Sequence, residues 1–329
     1  MEIPEILEKY RELIVARLEE ALEDEGPLRE MFAYHMGLRE ADGGLGPGIG
    51  GKLLRPSLAC FSCEALGGEV EAALPLAVSL ELVHNFSLIH DDIQDKDELR
   101  RGRPTVWKVY GVEQAINAGD GMLVLALRRA LDAQALPAAR RLAALEALLS
   151  ATYRMIEGQV LDLSLEGTAA GVEMYLEVAR EKTGALLGCA LELGGIAADA
   201  PEDLRLKLRE LGEVLGLAFQ IRDDWIGIWG DPALTGKPVG GDLLRRKRSF
   251  PVAYALERDP ALTELLSRDP LPLKEALARL EAVGAREATE KEARKYTEKA
   301  AEIAAGLPWN AWARDAFREL LSFLAEREA

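Results

Sequence analysis

Cysteine is scarce in this sequence, with three thiols among 329 residues. So few cysteines provide no disulfide framework, and they favour a reducing compartment. Cys60 and Cys63 form a Cys-x-x-Cys pair, but no second pair exists to complete a metal site. The string around them, LACFSCEAL, has the pattern of a helix. We therefore expect buried helical thiols at these positions.

Long apolar runs and an excess of positive charge are also lacking. No apolar run approaches the ~20 residues that a membrane span requires, and the N-terminal string MEIPEILEKY resembles neither a signal nor a transit peptide. Acidic residues outnumber basic ones by 56 to 40, which gives a net charge of −16. That charge argues against nucleic acid or an anionic membrane as a partner. We expect a cytoplasmic protein without stable membrane insertion.

Strand-like alternation of useful length is missing as well, and there are no internal repeats. Hydrophobic residues make up 49% and charged residues 29% of the chain, which is a globular composition with ample material for a core. The length is compatible with one large helical domain. The sequence therefore predicts an all-α fold that forms a single domain over residues 1–329.

Helical periodicity and helix-breaking residues divide the chain into segments. The predicted segments are two helices within residues 4–40, a helix from Lys52 through Leu66, a long helix from about Val70, a helix over 106–118, a helix that Asp120 opens as its N-cap, a helix over 136–166 and amphipathic helices after Val252.

An acidic motif ends the long helix, in the string HNFSLIHDDIQDKDELRRGRPT. On a helix His84, Asp91 and Asp95 fall on one stripe, and Asp92 lies one step round. Carboxylates this close repel one another unless a cation neutralises them. Oxygen ligands at this spacing suit Mg²⁺, which completes its shell with substrate phosphate and water. The alternative is an ordinary solvated acidic face.

A basic turn follows the acidic motif directly. Arg100, Arg101 and Arg103 surround a turn marked by Gly102 and Pro104. Guanidinium groups are well shaped to grip phosphate oxygens in a fork. Metal carboxylates followed by a phosphate clamp predict a diphosphate site.

A second basic pair follows the glycine-rich string ADGGLGPGIGG. Lys52 and Arg55 lie at i and i+3, and we predict both in the first turn of a helix. The positive N-terminal end of a helix and two cations together suit a phosphate. The alternative is a basic surface turn.

Further polar positions occur downstream. Gln159 and Asp162 share a helix face, although such a pair also stabilises neighbouring residues. Lys182 enters an apolar helix, as a snorkelling surface lysine would too. In the string AFQIRDDWIGIW, Gln220 and Asp223 again share a face.

These strings resemble, in the same order, the motifs of the trans-prenyl diphosphate synthases, the polyprenyl synthetase family. The strings are GGKLLRP, LIHDDIQDKDELRRGRPT, GQVLDL, EKTG and FQIRDD with the loop after it, and they lie within about residues 40–255. The resemblance implies the isoprenoid synthase fold, a single all-α bundle around a central cavity with both aspartate motifs at its mouth. It also implies head-to-tail condensation of isopentenyl diphosphate with allylic diphosphates, three Mg²⁺ ions for which Mn²⁺ can substitute, and a homodimer.

The resemblance also implies a role for each matching residue. The metal ligands would be Asp91, Asp92, Asp95, Asp223 and Asp224. The groups at the reacting allylic substrate would be Lys182, Thr183, Gln220 and Lys237. The substrate-binding residues would be Lys52, Arg55, His84, Phe86, Ser87, Arg100, Arg101, Gln159 and Lys247.

The chain departs from the family pattern at one position of the second motif, where the last aspartate is Gly227. We interpret the loss as tolerated because Asp223, the first aspartate, remains. Ahead of the first motif, bulky Phe86 and small Ser87 resemble the chain-pocket floor of short-chain synthases. They predict geranylgeranyl diphosphate as the main product, with farnesyl or a longer polyprenyl diphosphate as the alternative.

Two other functions are weighed against this one. A terpene cyclase shares the first motif, but this chain lacks the cyclase type of second motif and keeps Lys52 and Arg55. A non-catalytic helical subunit of a prenyl synthase would usually have lost aspartates or arginines, and Gly227 is the single such loss here.

Overall fold

The computed structural model describes residues 3–23, 26–165, 170–232 and 239–326. Within them the chain forms two compact units. The first, here called the motif-one unit, comprises Glu5–Leu149 and Ala190–Arg205. The second, the motif-two unit, comprises Ser150–Cys189 and Leu206–Ala329 with Met1–Pro4. The single domain over residues 1–329 stays a prediction.

Helices dominate both units, which confirms the predicted fold class. The helices up to the second motif are α1 Glu5–Lys9, α2 Arg11–Ala21, α3 Pro27–His35, α4 Leu54–Ala65, α5 Val70–Gln94, α6 Val106–Tyr110, α7 Val112–Leu131, α8 Ala138–Ser164, α9 Val172–Ala179, α10 Ala185–Ala197 and α11 Glu202–Trp229. Those after it are α12 Gly241–Leu244, α13 Phe250–Leu256, α14 Leu262–Ser267, α15 Leu273–Ala282, α16 Ala285–Ala305 and α17 Ala311–Glu326. A single π-helical turn, Arg180–Gly184, joins α9 to α10.

The motif-one unit is built around α5, which packs against α2, α4 and α7. The apolar residues of α5, from Ala73 to Ile89, are nearly all buried. Its start near Val70 is confirmed, and Pro75 is accommodated six residues into the helix. The first aspartate motif therefore stands at the end of a rigid core helix.

Within the described residues, one helix, Val70–Gln94, is long and apolar enough to cross a membrane. Its mean hydropathy over the most apolar window is 1.5, so the expectation that no run approaches membrane length was wrong. Because 72% of that window is buried inside the fold, the helix has the character of a core helix. Packing against other helices removes its apolar side chains from water.

Two predicted helix boundaries were also wrong. Lys52 precedes α4, which begins at Leu54 after Leu53 in the left-handed region (φ 48°). Asp120 lies inside α7 and caps nothing, because Gly111 (φ 91°) is the residue that separates α6 from α7. A glycine adopts a positive φ without the steric cost that it has for other residues. The break between α6 and α7 therefore falls at Gly111, nine residues before Asp120.

The motif-two unit holds the end of α11 in an apolar cluster. Ile228 packs with Leu243, Val252 and other buried residues of α12 to α16. Burial of about 1.5–3 kcal/mol per large aliphatic side chain fixes this end of the helix. The second aspartate motif, one turn earlier, is therefore held on a packed scaffold.

The predicted buried thiols are confirmed. Cys60 and Cys63 lie in α4 and Cys189 in α10, and all three thiols are buried. Burial raises the pKa of the Cys63 thiol to about 12, so this group stays protonated and unreactive at neutral pH.

Candidate active site

The first aspartate motif places two carboxylates at the C-terminal end of α5. Asp91 lies in the last turn and Asp95 is the C-cap residue, whose backbone N–H donates to the Asp91 carbonyl at 2.8 Å. The Asp91 side chain is half-buried and that of Asp95 is exposed. The negative end of the helix dipole adds to both charges. This end of α5 therefore attracts a cation.

The third aspartate of the motif has a different environment. Asp92 is 1% exposed and accepts three contacts from Arg100, from Nε at 2.8 and 3.0 Å and from Nη2 at 2.7 Å. Burial raises the pKa of Asp92, and the Arg100 guanidinium opposes that shift. The structure thus assigns this carboxylate to Arg100, and its role as a metal ligand stays a prediction.

No group of three or more His, Cys, Asp or Glu side chains within the described residues is arranged to hold a metal ion alone. The donor set at the end of α5 nevertheless fits Mg²⁺, an ion that takes one or two protein carboxylates and otherwise keeps water and substrate phosphate. Asp91 and Asp95 provide that number of oxygen ligands, one turn apart. Such a partial shell becomes complete only with a phosphate ligand.

The basic turn forms a small hairpin. Leu99–Arg100 pairs with Arg103–Pro104, and Arg101 and Gly102 at its tip both have positive φ, 52° and 75°. Two positive φ angles are typical of a type I′ turn. Arg103 does not belong to the predicted phosphate clamp, because its guanidinium donates to the carbonyls of Tyr34 and Arg39 at 2.9 and 2.7 Å.

Arg101 instead approaches the glycine-rich loop before Lys52. A Cβ built on Gly51 would lie 3.1 Å from Arg101 Nη2, so a larger residue there would press on the guanidinium. The exposed Lys52 follows directly in the chain. The hairpin tip and the loop therefore bring two predicted isopentenyl diphosphate ligands together.

Arg55 and His84 belong to the same group. We call these four residues the basic cluster: Lys52, Arg55, His84 and Arg101. Burial followed by the nearby charges of Arg55 and Arg101 lowers the pKa of His84 well below its usual value. The Arg55 Nε atom is buried and has no hydrogen-bond partner. A buried donor without a partner is costly, and an anion oxygen would satisfy it.

Three further residues support the basic cluster and were missed in the sequence. Glu81 is 5% exposed, and burial raises its pKa, an effect that the nearby charge of Arg55 opposes. Asn85 Nδ2 donates to Glu81 Oε1 at 3.1 Å, and Asn85 Oδ1 lies 3.1 Å from His35 Nε2. The spacing of Glu81, His84 and Asn85 at i, i+3 and i+4 was the available signal. Nothing in the sequence linked His35 to them.

His35 is held neutral in the folded protein. Burial, followed by the Arg100 and Arg101 guanidinium groups, lowers the pKa of His35 to about 3. An unfolded histidine has a pKa near 6.5. The unfolded chain thus binds more protons between these values, and stability is lost as the pH falls through this window.

This linkage predicts the pH behaviour of His35→Gln, which removes the titrating group but keeps an amide near Asn85. Between pH 7 and pH 4 the wild-type chain should lose up to about 3 kcal/mol of unfolding free energy more than the variant. Urea unfolding at both pH values measures the difference. Equal losses in the two proteins would show that His35 titrates normally.

In the motif-two unit, the π-helical turn presents Lys182 and Thr183. Lys182 Nζ lies 3.0 Å from Asp162 Oδ2, and Thr183 Oγ1 donates to Gln220 Oε1 at 2.9 Å. The turn is anchored on one side by Arg154, which contacts Glu181 at 2.7 and 2.9 Å. Interruptions of this kind in α-helices are frequent at functional sites.

The second aspartate motif also divides into an accessible and an inward carboxylate. Asp223 is half-buried on the face of α11. Asp224 is buried, accepting from Gln220 Nε2 at 3.0 Å and from the Phe250 N–H at 2.8 Å. Burial raises the pKa of Asp224 to about 7. Its oxygens hold α13 and Gln220, so its metal-binding role stays a prediction.

The remaining predicted residues fall in three places. Lys247 lies on the exposed turn after α12, with Nζ 3.6 Å from Asp242 Oδ1. Gln159 lies in α8 one turn before Asp162. Lys237 lies outside the described residues.

Comparison with known proteins identifies the relatives of this chain. The family model for polyprenyl synthetase matches residues 47–280. A geranylgeranyl diphosphate synthase of Mycobacterium tuberculosis is 45% identical over 73% of this chain and 68% of its own length. A (2E,6E)-farnesyl diphosphate synthase of Mycobacterium bovis is 42% identical over 76% of this chain and 70% of its own length.

Solved structures show the same fold. A polyprenyl synthetase from Streptomyces coelicolor matches with a TM-score of 0.92 at 39% identity, over 98% of this chain and 99% of that one. A geranylgeranyl pyrophosphate synthase from Corynebacterium glutamicum, solved with isoprenyl diphosphate and magnesium, matches with a TM-score of 0.84 at 28% identity, over 99% of this chain and 100% of that one. The predicted isoprenoid synthase fold is confirmed.

Proposed function

The chain belongs to the polyprenyl synthetase family, and we propose that this prenyl diphosphate synthase is Mg²⁺-dependent and makes chiefly geranylgeranyl diphosphate. The substrates would be isopentenyl diphosphate and an allylic diphosphate. The observation that carries the proposal is the pair of accessible carboxylates, Asp91 and Asp95, in the same unit as a cluster of cations with an unsatisfied buried donor. Incubation with both substrates and Mg²⁺, followed by sizing of the products, tests it.

Isopentenyl diphosphate would bind the basic cluster. Lys52, Arg55 and Arg101 offer cationic donors, and the neutral His84 ring can donate without adding to their mutual repulsion. The lowered pKa of Arg101, caused mainly by burial, reflects the cost of desolvating this cation. A diphosphate anion offsets that cost. The bound substrate is then oriented for attack by its double bond.

We propose that metal is bound by the accessible aspartates Asp91 and Asp95 in the motif-one unit, and by Asp223 in the motif-two unit. The family typically uses divalent metals, and the bound magnesium named for the Corynebacterium glutamicum relative supports Mg²⁺. We propose three ions, as the family resemblance implies, with Mn²⁺ as a substitute. When bound, Mg²⁺ supplies positive charge that stabilises the departing diphosphate.

Two cationic side chains that would bind the allylic substrate are each oriented by a neighbouring carboxylate. Arg100 is oriented by Asp92 and Lys182 by Asp162. Ion pairs of this kind fix the direction of a long side chain before the ligand arrives. We propose that both cations bind the allylic diphosphate, which keeps the leaving group in place as its C–O bond breaks.

Thr183 and Gln220 would stabilise the carbocation that develops as the diphosphate leaves. The Thr183 hydroxyl donates its hydrogen to Gln220, and Gln220 donates in turn to Asp224. This chain fixes both dipoles and leaves the Thr183 oxygen lone pairs to face developing positive charge. Preorganised dipoles of this type stabilise a carbocation without reorganising during the reaction.

The length of the product is proposed to depend on Phe86 and Ser87. Phe86 is 4% exposed, and its ring packs in a T-shaped arrangement with the His90 ring, with centroids 5.7 Å apart. Ser87 donates to the His84 carbonyl at 2.7 Å and leaves a small profile. The two mycobacterial relatives are named for different products, which makes farnesyl diphosphate the main competitor.

Variants at these positions should shift the product distribution in opposite directions. Removing the ring in Phe86→Ala should lengthen the products by at least one isoprene unit, about one helical turn or ~5 Å of tail. Ser87→Phe should shorten them. Chromatography of the dephosphorylated products measures both. An unchanged distribution in Phe86→Ala would make Phe86 an ordinary packing residue.

We further propose a homodimer, supported by apolar side chains that remain exposed on α7 and α8. Val124 is 58% exposed, Leu142 66% and Val160 61%. Contiguous exposed apolar patches mark interaction surfaces, and we propose that these residues contribute to such a patch. Light scattering should give about twice the 35.9 kDa chain mass, and a stable particle of the single-chain mass would contradict the dimer.

The remaining proposals concern location and other partners. The small number of cysteines, all of them buried, supports a cytoplasmic location. The net charge of −16 supports the absence of a nucleic-acid partner. Among the residues that the structure describes, α5 alone is apolar enough to cross a membrane, and its burial supports the absence of stable membrane insertion.

A further inference from the structure

The π-helical turn that presents Lys182 and Thr183 interrupts the helical path from α9 to α10. The Ala185 N–H donates to the Arg180 carbonyl, five residues back, which is the hydrogen bond of a π turn. One residue more than in an α-helical turn shifts the side chains that follow by about 100° around the helix. The directions of Lys182 and Thr183 therefore depend on whether the interruption is kept.

Both neighbouring helices of the motif-two unit contact this turn through a glycine. A Cβ built on Gly158 of α8 would lie 2.6 Å from the Lys182 backbone nitrogen. A Cβ built on Gly216 of α11 would lie 2.6 Å from Gly184 Cα. Real Cβ atoms do not approach other heavy atoms so closely. The backbones of α8 and α11 thus pack directly against the turn.

Arg154 of α8 connects the turn to α11 through two carboxylates. Its guanidinium holds both oxygens of Glu181, with Nε 2.7 Å from Oε2 and Nη2 2.9 Å from Oε1. The third nitrogen, Nη1, lies 2.6 Å from Oε1 of Glu213 on α11. The three side chains are 20–26% exposed, so salt screens these ion pairs only in part. The hydrogen bonds to Glu181, followed by those to Glu213, raise the pKa of Arg154 against the lowering effect of burial.

The groups proposed to act on the allylic substrate lie further along the same two helices. Lys182 contacts Asp162, which lies two turns after Arg154 on α8. Thr183 donates to Gln220 of α11. The residue that Arg154 holds directly precedes Lys182 in the chain. A change in the contacts of Arg154 is therefore transmitted to both groups through the turn.

We propose that Arg154 is a positioning residue for prenyl transfer. By holding Glu181 and Glu213 together, it keeps the π turn in register. The turn directs Lys182 towards the allylic diphosphate and Thr183 towards the developing carbocation. This inference rests on the proposed function. An arginine is required because its planar fork binds one carboxylate with two nitrogens and reaches a second with the third, which a lysine cannot do.

The positioning role is tested by steady-state kinetics in Mg²⁺. Arg154→Gln should lower the turnover number about 10- to 100-fold, because a displacement of about 1 Å that originates away from the reacting atoms has an effect of this size. Arg154→Lys keeps the charge without the fork and should give an intermediate value. The Michaelis constant for isopentenyl diphosphate should stay within about twofold, because the basic cluster belongs to the motif-one unit.

Arg279→Gln is the matched control. Arg279 is also a half-buried arginine of the motif-two unit, and its Nη1 lies 2.8 Å from Asp259 Oδ2. Both glutamine variants should lower the melting temperature by a few degrees, whereas Arg279→Gln should keep its turnover number within about twofold. Equal turnover numbers in the two variants would mean that Arg154 only stabilises the fold. Failure of both Arg154 variants to fold would overturn the proposal in the same way.

A double-variant cycle with Thr183→Ala separates positioning from general destabilisation. If Arg154 acts by placing the Thr183 hydroxyl, its loss matters less once that hydroxyl is gone. Arg154→Gln should therefore lower the turnover number about threefold less, or better, in the Thr183→Ala background than in the wild type. Independent effects that simply multiply would contradict the proposal. A folded wild-type protein that extends no allylic substrate would overturn the proposed function itself, whereas an active wild type with an equally active Arg154→Gln variant would overturn this inference alone.

Discussion

Replacing Asp91 or Asp95 by alanine should lower the turnover number by about a thousandfold or more, which corresponds to about 4 kcal/mol of transition-state stabilisation. Both carboxylates lie at the negative end of the α5 dipole, where a cation is attracted. Losing either one removes one of the two α5 carboxylates that would hold the metal ion. Steady-state kinetics at saturating substrates measures the effect.

The fold should survive both substitutions. Neither side chain belongs to the buried core, so the melting temperature without ligands should stay close to that of the wild type. Glu98→Ala is a matched control, because Glu98 is an exposed acid three residues beyond Asp95 and contacts only the exposed Lys108 among the described ion pairs, at 2.7 Å. An Asp91→Ala variant with the activity of the Glu98→Ala control would contradict the assignment.

The second large effect is expected at the basic cluster. Lys52→Ala and Arg55→Ala should raise the Michaelis constant for isopentenyl diphosphate about 10- to 100-fold, the loss of one charged hydrogen bond worth about 1.5–3 kcal/mol. The constant for the allylic substrate should change much less, because neither residue belongs to an aspartate motif. Initial rates with each substrate varied in turn give both constants.

Lys52→Ala is the cleaner of these two variants. Arg55 also opposes the buried charge of Glu81, so its removal should lower stability as well as affinity. Arg55→Ala therefore needs an unfolding measurement beside the kinetics. Lys108→Ala, which removes an exposed cation of the same unit, is the control. Equal changes in both Michaelis constants would show that the two substrate sites are misassigned.

The helices were predictable wherever apolar periodicity dominated. The start of α5 near Val70 and the acidic stripe at its end follow from spacing alone. The position of Lys52 before α4 does not, because Leu53 adopts a left-handed conformation that no helical pattern reveals. Helix boundaries depend on such single backbone conformations.

Neighbouring aspartates show a second limit of sequence reasoning. Asp91 and Asp92 differ by one step on a helical wheel, and both read as ligands. Tertiary contacts distinguish them, because Arg100 from the hairpin forms an ion pair with Asp92. In the second motif, the N–H of Phe250 likewise donates to Asp224. Contacts from distant elements of the chain are not encoded in local spacing.

The most direct test of the account is one incubation of the purified chain with isopentenyl diphosphate and an allylic diphosphate, in Mg²⁺ and in EDTA. We predict that Mg²⁺ supports release of diphosphate and formation of longer prenyl diphosphates, chiefly the twenty-carbon product, and that EDTA abolishes both. Full turnover in EDTA, or no chain extension in Mg²⁺, would contradict the central claim.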